Sequence, residues 1–202
     1  MTVSKSFLDA VRARRTYYQL LNKSPIPDSR IVDLVNDAIL HTPSSFNSQS
    51  TRLVLLLKKD HEKLWDITKD TLKAVVPPDA FAATNQKLNG FQNAYGTVLF
   101  FEDPAPIKNL QQKFATYADR FPVWSEHTSA MHQFFLWTAL EDEGFGANLQ
   151  HYNPLIDERV KEEWNIPVDW QLKAQLVFGT PAAEPTDKTH QPQQERVFVH
   201  GL

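Results

Sequence analysis

Apolar residues recur at helical spacing through much of the N-terminal half of this chain. A short helix is predicted over residues 6–14, with Ser4 or Ser6 available as its N-cap. Asp28 follows two prolines and caps a second predicted helix. A third, amphipathic helix is expected to open at Asp60.

Strands and a long helix are predicted in the rest of the chain. Buried strands are expected at three apolar runs: residues 53–57, 96–101 and 171–179. Residues 124–143 are apolar nearly all round, so this predicted helix is either central or pressed against another subunit. Pro154 is expected at the first position of a helix that ends near Trp164. A softer segment rich in Asn and Gln follows Pro77 and Pro78.

The composition is that of one globular domain. The 202 residues, of which 42% are hydrophobic and 22% charged, indicate a single domain over residues 1–202. The net charge of −3 is too small to favour nucleic acid or a membrane surface as a partner. The absence of cysteine excludes disulfides, a thiol nucleophile and Cys-ligated metals. No signal-peptide core precedes the first helix, so we expect a cytoplasmic protein.

Two basic segments lie far apart in the sequence. Arg14, Arg15 and Thr16 place two guanidiniums and a hydroxyl at a helix end, which suits a phosphate through charge-assisted hydrogen bonds. A solvated helix end is the alternative interpretation. Lys188 and His190 lie in a polar tail, and they gain a role only if the tail folds back onto the first segment.

Two further segments are rich in hydrogen-bonding side chains. The loop around Ser44, Ser45, Asn47 and Gln49 offers donors and acceptors that suit the edge of a flat heteroaromatic ring, although a turn that satisfies only itself fits equally well. The segment 144–153 combines small residues, which allow backbone to approach a ligand, with Asn, Gln and Tyr side chains that could orient it.

Other kinds of site have weaker support. Only Gly144 and Gly146 approach a dinucleotide fingerprint, and they follow a helix rather than a strand. His127 and His132 are five residues apart and off a common helical face, so no metal site is expected. No catalytic triad or acid–base pair is evident either.

Taken together, the four segments resemble the flavin-dependent nitroreductase family over nearly the whole chain. The motifs are R-R-T near the N-terminus, P-S-S-F-N-S-Q before the first predicted strand, G-F-G-A-N-L-Q-H-Y-N after the long helix, and a tail Lys followed four residues later by Pro. The third motif is similar to that of a small branch that includes fungal fatty-acid-response proteins and bacterial stress-induced nitroreductases.

The resemblance implies an α+β fold with a mainly antiparallel sheet flanked by helices, in an intertwined homodimer that holds FMN at its interface. It implies that the FMN phosphate is held near the two ends of the chain, and that the isoalloxazine ring meets the central loop and the backbone after the third motif. The residues implied to bind FMN are Arg14, Arg15, Thr16, Ser44, Ser45, Asn47, Gln49, His151, Tyr152 and Lys188. His190 departs from the pattern because many members carry a second tail arginine there, a role for which Arg196 is the other candidate.

The implied activity is that of a nitroreductase. NAD(P)H would reduce FMN at N5, and an electron-poor nitroaromatic or quinone would then take the electrons, with no protein side chain as a catalyst. A flavin- or lipid-sensing regulator without catalysis, or a dimeric scaffold without flavin, are the alternatives.

Overall fold

The computed structural model describes residues 5–202 and contains one five-stranded sheet with helices on both faces. The strands are β1 (Leu20–Leu21), β2 (Thr51–Leu57), β3 (Gly96–Glu102), β4 (Gly146–Gln150) and β5 (Gln171–Pro181). The α-helices are α1 (Phe7–Ala13), α2 (Asp28–His41), α3 (Lys59–Val75), α4 (Pro78–Gln92), α5 (Pro104–Lys113), α6 (Phe121–Asp142) and α7 (Asp157–Glu163).

Every pairing between these strands is antiparallel, as predicted. The long strand β5 is central, because it pairs with β3, with β4 and with β1. Strand β2 pairs with the far side of β3 and forms an edge. All seven residues of β3 are buried, which accounts for its continuous apolar run, since both faces of this strand are covered by helices.

Side chains alternate along β3 between two hydrophobic cores. Leu99 and Phe101 point to the core under α3, α4 and α7, whereas Val98 and Phe100 point to the core under α2 and α6. A register shift between Phe100 and Phe101 keeps this alternation matched to β5. The sheet is therefore the middle layer of three.

The prediction of a long helix over residues 124–143 is confirmed by α6, whose 22 residues contact α1, α2, α5 and four strands. Part of its surface is nonetheless open to solvent. Val123, Met131 and Phe134 are exposed although they are large and apolar. Helix α6 is thus central to this chain and also leaves an apolar face for something else to cover.

The other predicted elements are placed as follows. Ser6 caps α1 by accepting a hydrogen bond from the Asp9 amide, and Ser4 lies outside the described residues. Asp28 is the first residue of α2, after Pro27 as the N-cap. The predictions of the third helix and of the three buried strands are confirmed, with α3 starting at Lys59.

Some expectations were wrong. The segment after Pro77 is the helix α4, which begins with Pro78 at its first turn. Pro154 does not begin a helix, since α7 starts only at Asp157. Residues 146–150, for which no strand was predicted, form β4.

A buried histidine joins α3 to the start of β3. His61 Nε2–H donates to the carbonyls of Phe91 and Gln92, at 3.1 and 3.2 Å. The Thr97 hydroxyl lies 2.9 Å from His61 Nδ1 and accepts from Trp65 Nε1, so it donates to the histidine ring. Burial lowers the pKa of His61 to about 4. The ring is therefore neutral at physiological pH.

This histidine makes the fold acid-sensitive. Its pKa is about 4 in the folded protein and 6.5 in the unfolded chain, so its contribution is complete above pH 6.5 and is lost as pH falls toward 4. Between pH 7 and pH 5 the loss from this group is about 2 kcal/mol. Urea unfolding at the two pH values measures it. We expect His61→Gln to lose about 2 kcal/mol less over this range than the natural chain, and an equal loss in both would contradict the assignment.

Candidate functional site

Two neighbouring guanidiniums lie at the end of α1. Helix α1 stops at Ala13, and Arg14 turns out of it at the C-cap. The Arg14 guanidinium stacks over the Trp137 ring of α6, 4.6 Å from its centroid. Burial lowers the pKa of Arg14, the charge of Arg15 lowers it further, and Glu141 opposes both effects. The arrangement concentrates positive charge in a half-buried position.

The tail folds back onto this helix end. The Arg15 guanidinium donates to the carbonyl oxygen of Thr186. Arg14, Arg15, Lys188 and His190 line a common cleft of ≈ 560 Å³, together with Val11, Arg12 and Asp187. The structure therefore brings together the first and last basic segments, which are more than 170 residues apart. His190 lines this cleft, and Arg196 is not among its lining residues.

The next residues attach the chain to β4. Thr16 forms a parallel bridge with Ala147, and the Tyr17 amide donates to the Ala147 carbonyl at 3.0 Å. A Cβ at Gly146 would lie 2.9 Å from the Tyr17 side chain, so glycine is needed there for this packing. Small residues here were expected to let the backbone approach a ligand. At Gly146 the missing side chain instead makes room for Tyr17 of the same chain.

The polar side chains of β4 are occupied internally. Asn148 Nδ2 donates to the Tyr17 carbonyl at 2.8 Å, and Gln150 Nε2 donates to Asn148 Oδ1 at 2.8 Å. Both residues are buried. Their amides hold β4 in place, contrary to the idea that they orient a ligand.

His151 and Tyr152 follow directly after β4. His151 is exposed, whereas the Tyr152 ring packs edge-on against Trp65 with centroids 5.8 Å apart. The Tyr152 amide donates to Gln175 Oε1 of β5 at 2.8 Å. Burial raises the pKa of the Tyr152 phenol. The backbone at this end of β4 is thus fixed by the central strand.

The loop before β2 contains a 3₁₀ turn over Ser45–Asn47. The Gln49 amide donates to Ser44 Oγ at 3.0 Å, which closes the loop across five residues. Asn47 and Gln49 are exposed and have positive φ, 51° and 49°. The loop satisfies part of its own hydrogen-bonding capacity, in agreement with the interpretation of a self-contained turn. The side chains of Asn47 and Gln49 remain exposed to solvent.

Phe46 is the unusual residue of this loop. Its φ of 55° is a conformation that bulky side chains rarely adopt. The ring, 51% exposed, stacks on Trp124 of α6 with centroids 5.8 Å apart. Phe114, Tyr117 and Phe121 surround the same ring. Sequence reasoning missed this aromatic group because its members come from three separate segments without a common period.

The loop before β2 and the Arg14 guanidinium contact α6 at different positions along its axis. Phe46 stacks on Trp124 and Arg14 stacks on Trp137, thirteen residues further along the helix. At 1.5 Å per residue, the two contacts are about 20 Å apart along the helix axis. Among the described residues that line the basic cleft, none comes from the loop.

Residues 5–202 give no support to two other kinds of site. No group of three or more histidine and carboxylate side chains in this part of the chain is arranged to hold a metal ion. Its helices are also too short or too polar to cross a bilayer.

Known proteins match this chain along most of its length. The model of the nitroreductase family matches residues 11–180. HBN1 of Saccharomyces cerevisiae is 38% identical over 200 residues, which covers 98% of this chain and all of that protein. The nitroreductase FRM2 of the same yeast is 36% identical over 193 residues, covering 94% of this chain and 95% of FRM2.

Solved structures agree with this. Nitroreductase CinD from Lactococcus lactis, in complex with chloramphenicol, superposes with a TM-score of 0.89 at 45% identity, over 97% of this chain and 100% of CinD. The complex of CinD with 4-nitrophenol gives a TM-score of 0.88 over the same shares of the two chains.

The fold and these similarities define an oxidoreductase enzyme. The chain belongs to the nitroreductase family. The resemblance seen in its four motifs, including the similarity to fungal members, is confirmed. The predicted α+β fold with an antiparallel sheet flanked by helices is confirmed as well.

The Ser44 hydroxyl is expected to hold the loop closed. Ser44→Ala removes the acceptor of the Gln49 amide, a hydrogen bond worth about 1 kcal/mol. Hydrogen exchange at the Gln49 amide should therefore accelerate about fivefold. Exchange at core amides of β5 should stay unchanged, which serves as the internal control. Unaltered exchange at Gln49 would show that this bond does not close the loop.

Proposed function

We propose that this protein is an FMN-dependent NAD(P)H oxidoreductase that reduces nitroaromatic or quinone-type acceptors. The observation that carries the proposal is the basic cleft, where Arg14, Arg15 and Lys188 meet from the two ends of the chain. Family membership supports the redox activity. The cleft supports a cofactor that carries a phosphate.

The residues of the cleft suit a phosphate monoester. Arg14 and Arg15 are adjacent, half-buried and mutually repulsive, so a doubly charged anion between them would relieve their repulsion. Lys188 adds a third cation from the tail, and the Thr16 hydroxyl lies directly beside the pair in sequence. Asp187 is the one acidic residue among those lining the cleft. The donor set therefore fits the phosphate end of FMN.

The remaining site residues fit the ring of the flavin. Ser44, Ser45, Asn47 and Gln49 offer hydroxyls and amides that suit the alternating donors and acceptors of its pyrimidine edge. The backbone at His151 and Tyr152 is rigidly held at the end of β4, which suits a group that must be positioned over the ring. When bound, FMN supplies the transfer of hydride from NAD(P)H to the acceptor.

A homodimer would unite these two parts of the site. The separation of about 20 Å along α6 puts one chain's loop at a different level from its own guanidiniums. The loop would therefore serve the flavin held by the partner chain. Two observations support a covered surface. Phe7, Met131 and Phe134 line an apolar cavity of ≈ 370 Å³, and the buried hydroxyls of Thr42 and Thr138 on its wall have no hydrogen-bond partner within residues 5–202.

The solved relatives support the proposed acceptor class. CinD is known in complex with chloramphenicol and with 4-nitrophenol, which both carry a nitroaromatic ring. A site without an acid–base pair selects acceptors by electron affinity and flatness, which nitroaromatics and quinones share. We propose the same class for this protein.

Turnover of NAD(P)H tests this function directly. The purified protein, saturated with FMN and freed of excess, is expected to consume NADH or NADPH in the presence of 4-nitrophenol or a benzoquinone, measured at 340 nm. Bound flavin without turnover would favour the non-catalytic flavin or lipid sensor. Protein that stays colourless after incubation with FMN would favour a scaffold and reject the proposal.

Removal of one guanidinium should release the cofactor. We expect Arg14→Ala to raise the Kd for FMN about 10- to 100-fold, because a charge-assisted contact worth about 1.5–3 kcal/mol is lost. Lys161→Ala is the matched control, since Lys161 donates to the Val168 carbonyl in another part of the molecule. Equilibrium dialysis against free FMN gives both constants. Equal values for the two variants would reject the phosphate assignment.

A further inference from the structure

Glu102 is a buried carboxylate at the end of β3. It is 3% exposed, and three hydroxyl groups donate to it, each at 2.6 Å. Ser50 and Ser125 donate to Oε2, and Thr51 donates to Oε1. No ion pair involving Glu102 is found in the described part of the chain. A buried carboxylate is costly, and here hydroxyl donors offset that cost.

These donors belong to two different elements. Ser50 and Thr51 directly follow Gln49, the last residue of the loop before β2. Ser125 belongs to a polar stripe on α6 that continues through Thr128 and His132. Glu102 therefore joins the exit of the loop to the helix on which Phe46 stacks.

The stripe on α6 supports the same junction. Burial lowers the pKa of His132, so its ring is neutral, and Nδ1–H donates to the Thr128 carbonyl at 2.9 Å. The same Nδ1 lies 3.3 Å from Thr51 Oγ1. Thr51 is thus held between a carboxylate on β3 and a ring on α6.

A second set of contacts holds the loop exit from the outer side. Arg52 Nη1 donates to the Gln49 carbonyl at 2.7 Å, and Arg52 Nη2 pairs with Asp103 at 2.9 Å. The Asp103 amide donates to the Ser50 carbonyl at 2.9 Å. The exit is therefore fixed on both sides, immediately after Gln49, whose backbone is in the left-handed region.

We infer that Glu102 is a positioning residue that sets the orientation of the loop residues Asn47 and Gln49 toward the flavin ring. The identity of the ligand, FMN, rests on the proposed function. The hydrogen bonds to Glu102 do not depend on that proposal. A single carboxylate that receives hydroxyls from the loop exit and from α6 fixes the distance between them. Apolar residues would fill this space without specifying that distance.

Two substitutions separate positioning from simple stability. Glu102→Gln keeps the size but replaces one acceptor oxygen by a donor, so the three hydroxyls compete for fewer acceptor sites. Thr97→Val is the matched control: Thr97 is fully buried at the opposite end of the same strand, where it bonds to His61 and Trp65 and does not touch the loop. Each variant loses hydrogen bonds of one buried side chain that has several partners, so the two are comparable in their general effect on stability.

Hydrogen exchange on the ligand-free protein is the first measurement. We expect the amides of Asn47, Ser48 and Gln49 to exchange about tenfold faster in Glu102→Gln than in the natural chain. In Thr97→Val these amides should keep their natural rates. Unchanged rates in Glu102→Gln, or equal acceleration in both variants, would overturn the inference.

Binding of FMN is the second measurement. Glu102→Gln should raise the Kd about tenfold, and the visible absorption of the bound flavin should shift toward that of free FMN, because the ring loses its edge contacts. The salt dependence of Kd should match that of the natural chain, since the phosphate contacts remain. Identical spectra and Kd in Glu102→Gln and the natural chain would overturn the inference. Failure of the natural chain itself to bind FMN would instead overturn the proposed function, and hydrogen exchange would still decide the role of Glu102.

Discussion

Arg14 and Arg15 are neighbours that repel each other, and each is held in place by a different part of the molecule. The Arg14 guanidinium stacks on the Trp137 ring of α6. The Arg15 guanidinium donates to the Thr186 carbonyl of the tail. Glu141 compensates only part of the accumulated charge. In the site that we propose, this pair holds the phosphate: the tail supplies Lys188, and α6 links the pair to the distant loop.

Buried elements with long apolar stretches were predictable from sequence. β3 shows a continuous apolar run because helices cover both of its faces, and α6 shows apolar residues all round because it contacts four strands and three helices. Helix α4 was missed because its apolar residues are few and its surface is rich in Asn and Gln. Strand β4 was missed because glycine and buried amides replace the usual apolar alternation, and their hydrogen bonds become visible only in three dimensions.

The sequence indicated candidate site residues but not how they are arranged. Charge and hydrogen-bonding capacity pointed to four segments, and the structure brings the first and last of them into one cleft. The positive φ values of Phe46 and Gln49 could not be predicted, because Phe and Gln have no preference for that conformation. At Gly146 the prediction of a close contact was correct, but the group that approaches the glycine is the Tyr17 side chain and not a ligand. Glu102 carries no distinctive signal in the sequence, because its three hydroxyl donors lie far from it in the chain.

The tail has a further implication for how this protein ages and is handled. The sheet is complete at Pro181, and the residues that close the basic cleft come after it, in an exposed stretch with few hydrogen bonds to the body. Proteolytic trimming before Lys188 would leave both cores intact. Such a molecule would keep its folded core but lose part of the proposed phosphate site, so correct folding and cofactor content would be separate measures of its quality.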